Sequence, residues 1–284
     1  MTEAIHLPAP AKLNLFLHIT SRRRDGYHNL QTLFQFLDHG DQLHFARRSD
    51  DKITLTDNNS GVAAADNLVM QAARALQAAT EAKKQAYFGV DITLDKQLPQ
   101  GAGLGGGSSD AATTLLGLNT LWGYPLTQQD LLRLGRSLGA DVPIFIHGRA
   151  AFAEGTGEQF TDAHPPTPWY LVVKPSVSIS TAELFNHPQL QRDCRPLSPD
   201  QWSYHDTYNV FEPVVCALYP EVAKLRDRLL QYAPTRLTGS GACLFARFDS
   251  YDAAASAQQQ FKQLHSFVAQ GQNRSPLIRT LTQK

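Results

Sequence analysis

The chain has 284 residues, 42% of them apolar and 18% charged, with 26 basic and 26 acidic side chains. That length suits about two domains of ~100–200 residues each, the composition is globular, and the balanced charge excludes the overall basic field of a nucleic-acid binder. Three cysteines, Cys194, Cys216 and Cys243, lie far apart with no C-x-x-C pair, so neither a disulfide framework nor a zinc site is expected, and a reducing, cytoplasmic setting is.

The opening Met-Thr-Glu-Ala-Ile-His has no basic stretch leading into an apolar one, so no signal peptide is expected. No run approaches the ~20 apolar residues of a membrane span. Residues 11–19 alternate, with Ala11, Leu13, Leu15, Leu17 and Ile19 on one face and Lys12, Asn14, Phe16 and His18 on the other. Period two predicts a half-buried strand whose polar side brings Lys12 and Asn14 together. Arg22-Arg23-Arg24, closed by Asp25, reads as a solvated loop or as a patch that steers an anionic substrate. Arg24-Asp-Gly-Tyr-His28 reads as a turn about Gly26.

Strand-like runs follow at 30–37, 42–46 and 52–56. Asp66 is the expected N-cap of a helix near 67–79, where Leu68, Val69, Ala72, Ala73 and Leu76 recur at helical spacing. Val90, Ile92 and Leu94 alternate into a strand that leads to a glycine run. From Ala111, the residues Ala112, Leu115, Leu116 and Leu121 suit one face of a helix. Thr127, with Asp130 at the capping-box offset, opens another helix that Gly139 ends. Residues 151–160, with Gly155-Thr-Gly157, read as a hairpin.

His164-Pro-Pro-Thr-Pro168 is the expected domain boundary, giving an N-terminal domain of 1–163 and a C-terminal domain of 164–284. Beyond it the pattern predicts a strand at 170–173, a long irregular stretch, helices near 208–217 and 220–231, and a strand–turn–strand over 236–247. A helix at 252–264 and a strand near 266–269 follow. Helices on one face of an antiparallel sheet make the fold class α+β.

The glycine run, Leu98-Pro-Gln-Gly-Ala-Gly-Leu-Gly-Gly-Gly-Ser-Ser-Asp-Ala-Ala112, carries the strongest chemical signal. Glycine is costly to order, and five in seven positions suggest a backbone that must come close to a ligand. Strand, glycine loop and helix in that order build an anion site from free amides at a helix N-terminus, and phosphate is its usual occupant. Ser108 and Ser109 add hydroxyls for a phosphate oxygen or Mg²⁺. A Walker A loop needs Gly-Lys-Ser/Thr, and Gly106 is followed by Gly107. Gly101-x-Gly103-x-x-Gly106 matches the dinucleotide fingerprint, but a helix at 128–138 stands where that fold needs a strand and an acidic residue. A protein-kinase loop lacks its Val-Ala-Ile-Lys and His-Arg-Asp companions. A tight turn that binds nothing is the remaining alternative.

Phosphoryl transfer needs positioning and charge stabilisation. Asp141, in Leu138-Gly-Ala-Asp-Val-Pro143, is either an ordinary helix-flanking carboxylate or the group that accepts a proton. Lys12 is either a solvent-facing strand lysine or the cation that stabilises developing charge. Asp110 either helps with Mg²⁺ or sits in the first turn of its helix, where the dipole favours a carboxylate. Thr238-Gly-Ser-Gly241 is a second short glycine turn.

Pro8-Ala-Pro-Ala-Lys-Leu-Asn14, the glycine–serine run, Gly139-Ala-Asp-Val-Pro143 and Leu237-Thr-Gly-Ser-Gly-Ala242 together resemble the GHMP small-molecule kinase superfamily. Arg24-Asp-Gly-Tyr-His28 and Gly105-Gly-Gly-Ser-Ser109 narrow the resemblance to a branch that phosphorylates an alcohol carrying a cytidine diphosphate, in the non-mevalonate isoprenoid pathway. One glycine common in that branch is Ala102 here. The resemblance implies two domains, a ribosomal-protein-S5-like N-terminal half and a ferredoxin-like C-terminal half. It implies a cytoplasmic enzyme, a monomer or homodimer, that binds neither nucleic acid nor membrane. ATP and Mg²⁺ would lie on Pro99, Gly101, Gly103, Leu104, Gly105, Gly106, Gly107, Ser108 and Ser109, with Asn67 and Lys96 near the adenosine. Asp141 would take the proton of the substrate's 2-hydroxyl and Lys12 would stabilise the charge. The cytidine would sit near Tyr27, His28 and Phe185, whose rings alone would pass for loop anchors and core, with Asn14 and Thr181 holding the substrate.

Overall fold

The alternation read over 11–19 extends much further. Strand β1 spans Ala4–Arg22 and pairs antiparallel with β2, His28–Arg47, across the turn at Gly26. This is a computed structural model, and it describes residues 4–58, 61–63 and 66–283. The first strand is not half-buried: every residue from 9 to 19 is buried, on both faces. Register shifts between Pro10 and Lys12 and between Asn14 and Leu17 re-aim the side chains, which is how bulges let one long strand serve more than one core.

The two runs at 30–37 and 42–46 are one strand. Asp38-His-Gly-Asp41 reads as a break, yet pairing with β1 continues through Pro10↔Gly40 and Ala9↔Asp41. A Cβ at Gly40 would stand 2.2 Å from the Ala9 carbonyl oxygen, so only glycine admits β1 so closely. Asp41 turns inward and is fully buried.

Strand β3 (Ile53–Asp57) precedes α1 (Leu68–Ala82). The cap of α1 is Asn67 rather than Asp66: the Val69 N–H donates to Asn67 Oδ1 at 2.9 Å. Strand β4 (Val90–Asp95) lies parallel to β3 and antiparallel to β2. Helix α2 runs Gly106–Leu121 and so begins inside the glycine run, ahead of Ala111. Helix α3 (Gln128–Leu138) carries the reciprocal Thr127–Asp130 cap, and α4 (Val142–His147) starts directly after Asp141 with Pro143 in its first turn, where a fixed φ suits the helix.

Strands β5 (Ala151–Glu154) and β6 (Gln159–Asp162) form the expected hairpin. After β7 (Trp169–Lys174) come α5 (Thr181–Asn186), α6 (Phe211–Leu218) and α7 (Pro220–Leu229). Strands β8 (Thr235–Leu237) and β9 (Leu244–Phe248), helix α8 (Tyr251–Gln258), strand β10 (His265–Gln272) and helix α9 (Pro276–Thr282) complete the chain.

Among the described residues the strands join one sheet, ordered β3-β4-β2-β10-β7-β9-β8, with β1 and β5 also pairing β2. The last strand is the hinge pin of this arrangement. It pairs β7 from His265 to Gln270, then β2 through Gly271↔Leu37 and Gln272↔Phe36. One core packs Leu7, Phe36, Phe45, Leu76, Leu115 and Phe145 between the sheet and α1, α2 and α4. A second packs Leu171, Phe211, Val215, Leu229 and Phe261 among the later helices. A third, with Leu13, Phe16, Leu33, Leu104, Tyr170 and Phe245, joins residues of both halves. Fully burying such a side chain is worth ~1.5–3 kcal/mol, so the two halves share a substantial apolar junction.

Candidate active site

The glycine run leaves β4 and turns left-handed at Gly101, Gly103 and Gly105, with φ of +59°, +73° and +73°. Gly103 is pressed against the second glycine turn, where a Cβ would stand 2.2 Å from the Thr238 carbonyl oxygen. The Thr238 hydroxyl donates to the Gly103 carbonyl at 3.2 Å and accepts the Asn14 N–H at 3.1 Å. The loop, β1 and the turn at 238–241 are thereby knit together. The first bond of α2 runs from the Ser109 N–H to the Gly105 carbonyl at 2.8 Å. The amides just before it, on Gly106, Gly107 and Ser108, have no helical acceptor and are suited to an anion.

A buried charge cluster braces this loop from below. Lys96 Nζ lies 2.5 Å from Asp41 and 2.8 Å from Asp110. Asp41 also accepts the N–H groups of Gln97 and Leu98 at 2.6 and 2.7 Å. Burial opposes the Lys96 charge, but Asp110 and Asp41 outweigh it and raise the ammonium pKa. Burial raises the Asp110 carboxyl above the usual carboxylate range, against the pull of Lys96 and with the push of Asp41.

Lys12 and Asn14 meet as the strand pattern predicts, and both are buried. Lys12 Nζ donates to Asn14 Oδ1 at 2.6 Å and to the Gly103 carbonyl at 3.0 Å, and stands 3.2 Å from the Asp141 carboxylate. Asn14 is held in turn by its donation to Thr32 Oγ1 at 2.9 Å. Asp141 ends the turn after α3 and its side chain is 37% exposed, open to a substrate. One side of the carboxylate meets a fixed ammonium while the other faces the cleft.

Aromatic rings gather on the far side. His28 and Phe185 stack with centroids 5.1 Å apart and planes 23° from parallel. Phe185 packs edge-on against Phe211. Tyr27 projects freely at 66% exposure. Thr181 and Ser240 share a hydrogen bond of 2.6 Å. Burial first, then Arg192 and Arg22, lower the His28 pKa, so the ring is held neutral.

Two cavities adjoin here. The larger, about 950 Å³, holds Lys12, Asn14, Tyr27, His28, Thr181 and Phe185. The smaller, about 490 Å³, holds Asn67, Lys96, Pro99 and every residue from Gly101 to Ser108. They share Gly103, Ser108, Asp141, Thr181 and Ser240. The family model "GHMP kinases N terminal domain" matches residues 67–149, and "GHMP kinases C terminal" matches residues 197–266. The chain belongs to the GHMP kinases.

Relatives of this GHMP kinase extend over its whole length. It is 63% identical over 279 residues to the 4-diphosphocytidyl-2-C-methyl-D-erythritol kinase of Idiomarina loihiensis, covering 98% of each chain. It is 52% identical to the enzyme of the same name from Mannheimia succiniciproducens, covering 99% of this chain and 92% of that one. A crystal structure of 4-(cytidine 5'-diphospho)-2C-methyl-D-erythritol kinase matches with a TM-score of 0.81 at 32% identity, covering 94% of this chain and 99% of that one. The architecture is the α+β GHMP kinase fold, and the chain is a small-molecule kinase.

Ser109 alone among the expected ATP residues stands apart from both cavities. It is fully buried, and its hydroxyl has no partner among the described residues. Helical geometry explains this, because α2 starts early enough to turn Ser109 inward while Ser108 faces the cleft. Sequence reading missed Arg192, Arg136 and Asp41, and it singled out the turn that carries Ser240 without assigning that residue a role. Arg136 and Ser240 line the larger cavity, and nothing in the local pattern of Arg136 distinguishes it from a surface residue. Asp41 carried a faint signal, an acid beside Gly40 between the apolar runs of one strand.

Proposed function

We propose that this chain transfers the γ-phosphate of ATP to the 2-hydroxyl of 4-diphosphocytidyl-2-C-methyl-D-erythritol, a step of the non-mevalonate isoprenoid precursor pathway. The observation that carries the reading is the junction of the two cavities at Asp141, with Lys12 3.2 Å away. One cavity offers amides to phosphates and the other offers rings to a base, and full-length relatives bear this name.

The triphosphate would lie along Gly101 to Ser108, with its γ-phosphate pointing at the shared wall. Asn67 and Lys96 line that cavity, and the adenosine would rest near them. The acceptor's cytosine would stack on Phe185 with Tyr27 closing over it, each face worth ~1–3 kcal/mol. Asn14 and Thr181 would hold the tetritol between. Asp141 then accepts the proton of the 2-hydroxyl while its oxygen bonds to the γ-phosphorus. The bond from that phosphorus to the β–γ bridging oxygen breaks, and ADP leaves. The Lys12 ammonium, fixed by Asn14 and Gly103, stabilises the negative charge spread over the transferring group.

The donor set fits a magnesium ion that arrives with the nucleotide. No cluster of three or more His, Cys, Asp or Glu suited to a metal occurs among the described residues, and Mg²⁺ usually keeps its waters and takes substrate phosphates. The Ser108 hydroxyl, which lines both cavities, would hold such an ion. Bound there, Mg²⁺ would neutralise charge on the β- and γ-phosphates.

The division into 1–163 and 164–284, placed in the Pro-rich segment, belongs to the same reading. So does a cytoplasmic location, supported by three free thiols at Cys194, Cys216 and Cys243. An assay coupled to ADP release, with the cytidine-diphosphate tetritol as acceptor, tests the activity. Acceptor-dependent ADP release is expected; ATP binding with no such release would overturn the reading.

A further inference from the structure

Arg192 is absent from any motif, yet four of the five N–H donors of its guanidinium are committed. Nη1 donates to the Leu190 carbonyl at 3.0 Å, and Nη2 to the Phe185 and His187 carbonyls at 2.7 and 2.9 Å. The Nε donor points at His28 Nε2 at 3.2 Å. The segment that carries Arg192 is anchored in turn, because the Cys194 N–H donates to the Ile19 carbonyl of β1 at 2.9 Å.

A guanidinium can only donate. His28 Nε2 must therefore present a lone pair, and a neutral imidazole then carries its single proton on Nδ1. That nitrogen has no protein partner among the described residues, and His28 lines the larger cavity beside Phe185. Arg192 thus converts an ambiguous ring into a donor aimed at a ligand.

Resting on the cytidine reading of that cavity, we infer that Arg192 is a positioning residue that fixes the hydrogen-bond polarity of His28 and thereby selects cytosine over uracil. Cytosine N3 is an acceptor and takes the Nδ1–H bond. Uracil N3 carries a hydrogen, so two donors would face each other with no bond between them. Sites built to bond one polar group reject analogues that cannot reciprocate far better than they reject a change of shape. The same guanidinium holds the Phe185 backbone, so the stacking face and the edge-reading donor are set by one side chain.

Nitrogen NMR of the full-length chain labelled at histidine tests this directly, with His28 assigned by its loss in His28→Gln. A neutral ring protonated at Nδ1 is expected at pH 7; protonation at Nε2 or at both nitrogens would overturn it. Kinetics with the cytidine and uridine forms of the diphospho-alcohol give the second arm. In Arg192→Gln the cytidine-over-uridine ratio of kcat/KM should fall at least tenfold, through KM for the acceptor and not for ATP. An unchanged ratio in a folded Arg192→Gln would also overturn it. Should that variant not fold, the spectrum of the parent decides. Failure of the parent to turn over the cytidine substrate would instead sink the proposed activity, while leaving the His28 tautomer measurable.

Discussion

The Asp141 carboxylate sits 3.2 Å from the Lys12 ammonium, and that ammonium has two further partners to hold it in place. The proposed proton acceptor and charge stabiliser are therefore assembled in the chain by itself. Replacing Asp141 with Asn keeps the shape and removes the proposed base. Turnover should fall by at least ~10²-fold with nucleotide affinity retained. Steady-state kinetics together with nucleotide titration would check it, and near-normal turnover would remove Asp141 from the chemistry.

Gly103 and Gly101 separate two roles of glycine in the loop. Both have left-handed φ, but a Cβ at Gly101 meets nothing within 4 Å, whereas one at Gly103 meets the Thr238 carbonyl at 2.2 Å. Gly101→Ala should cost only backbone strain, about 1–2 kcal/mol. Gly103→Ala adds forced displacement of the 238–241 turn, for roughly 2–6 kcal/mol in all. Thermal or urea unfolding of the two variants would show equal losses if the loop and the turn were not in contact.

Phe185 lines the larger cavity and not the one built on the glycine run, and in the proposed reading it offers the acceptor a stacking face. Phe185→Ala should raise KM for a cytidine-bearing acceptor by about 5- to 150-fold and leave KM for ATP unchanged. Equal effects on both would mean that the variant perturbs the common wall rather than the base site.

His18 gives the fold an acid-sensitive point. It packs against Phe16 and Tyr208 with both ring nitrogens buried and unpartnered. Burial first, and then Arg236, lower its pKa to about 4. In the unfolded chain a histidine titrates near ~6.5, so as pH falls the unfolded state takes up the proton first. The stability from keeping His18 neutral is complete above about pH 6.5 and is lost as pH falls towards 4, at most about 3 kcal/mol. Urea midpoints at pH 7 and pH 5 should therefore differ less in His18→Phe than in the parent. An identical pH dependence would show that His18 titrates alike in the folded and unfolded chain.

Period and punctuation made much of this molecule legible. Alternation put Lys12 and Asn14 side by side, the Thr127–Asp130 spacing gave a real cap, and the glycine run lines the smaller cavity. What stayed hidden has physical causes. Helix α2 begins at Gly106 because tertiary contacts override the poor helix propensity of glycine. Helices α4, α5 and α9 are too short to show a period. Both faces of β1 are buried because it is sandwiched between cores, a fact its own alternation cannot encode. Arg192 escaped notice because its role depends on His28, which lies on the other side of the fold in sequence and is adjacent only in space.

Strand β10 has a consequence for how the chain is made. Residues 36 and 37 of β2, near the start of the chain, wait for residues 271 and 272, and the edge of β7 waits for the same strand. On a ribosome, those open backbone edges persist until β10 itself has been made. Pairings of such long range are slow to close and expose strands to wrong partners in the meantime. A nascent chain that stalls before β10 emerges would therefore be a substrate for chaperones rather than a small enzyme.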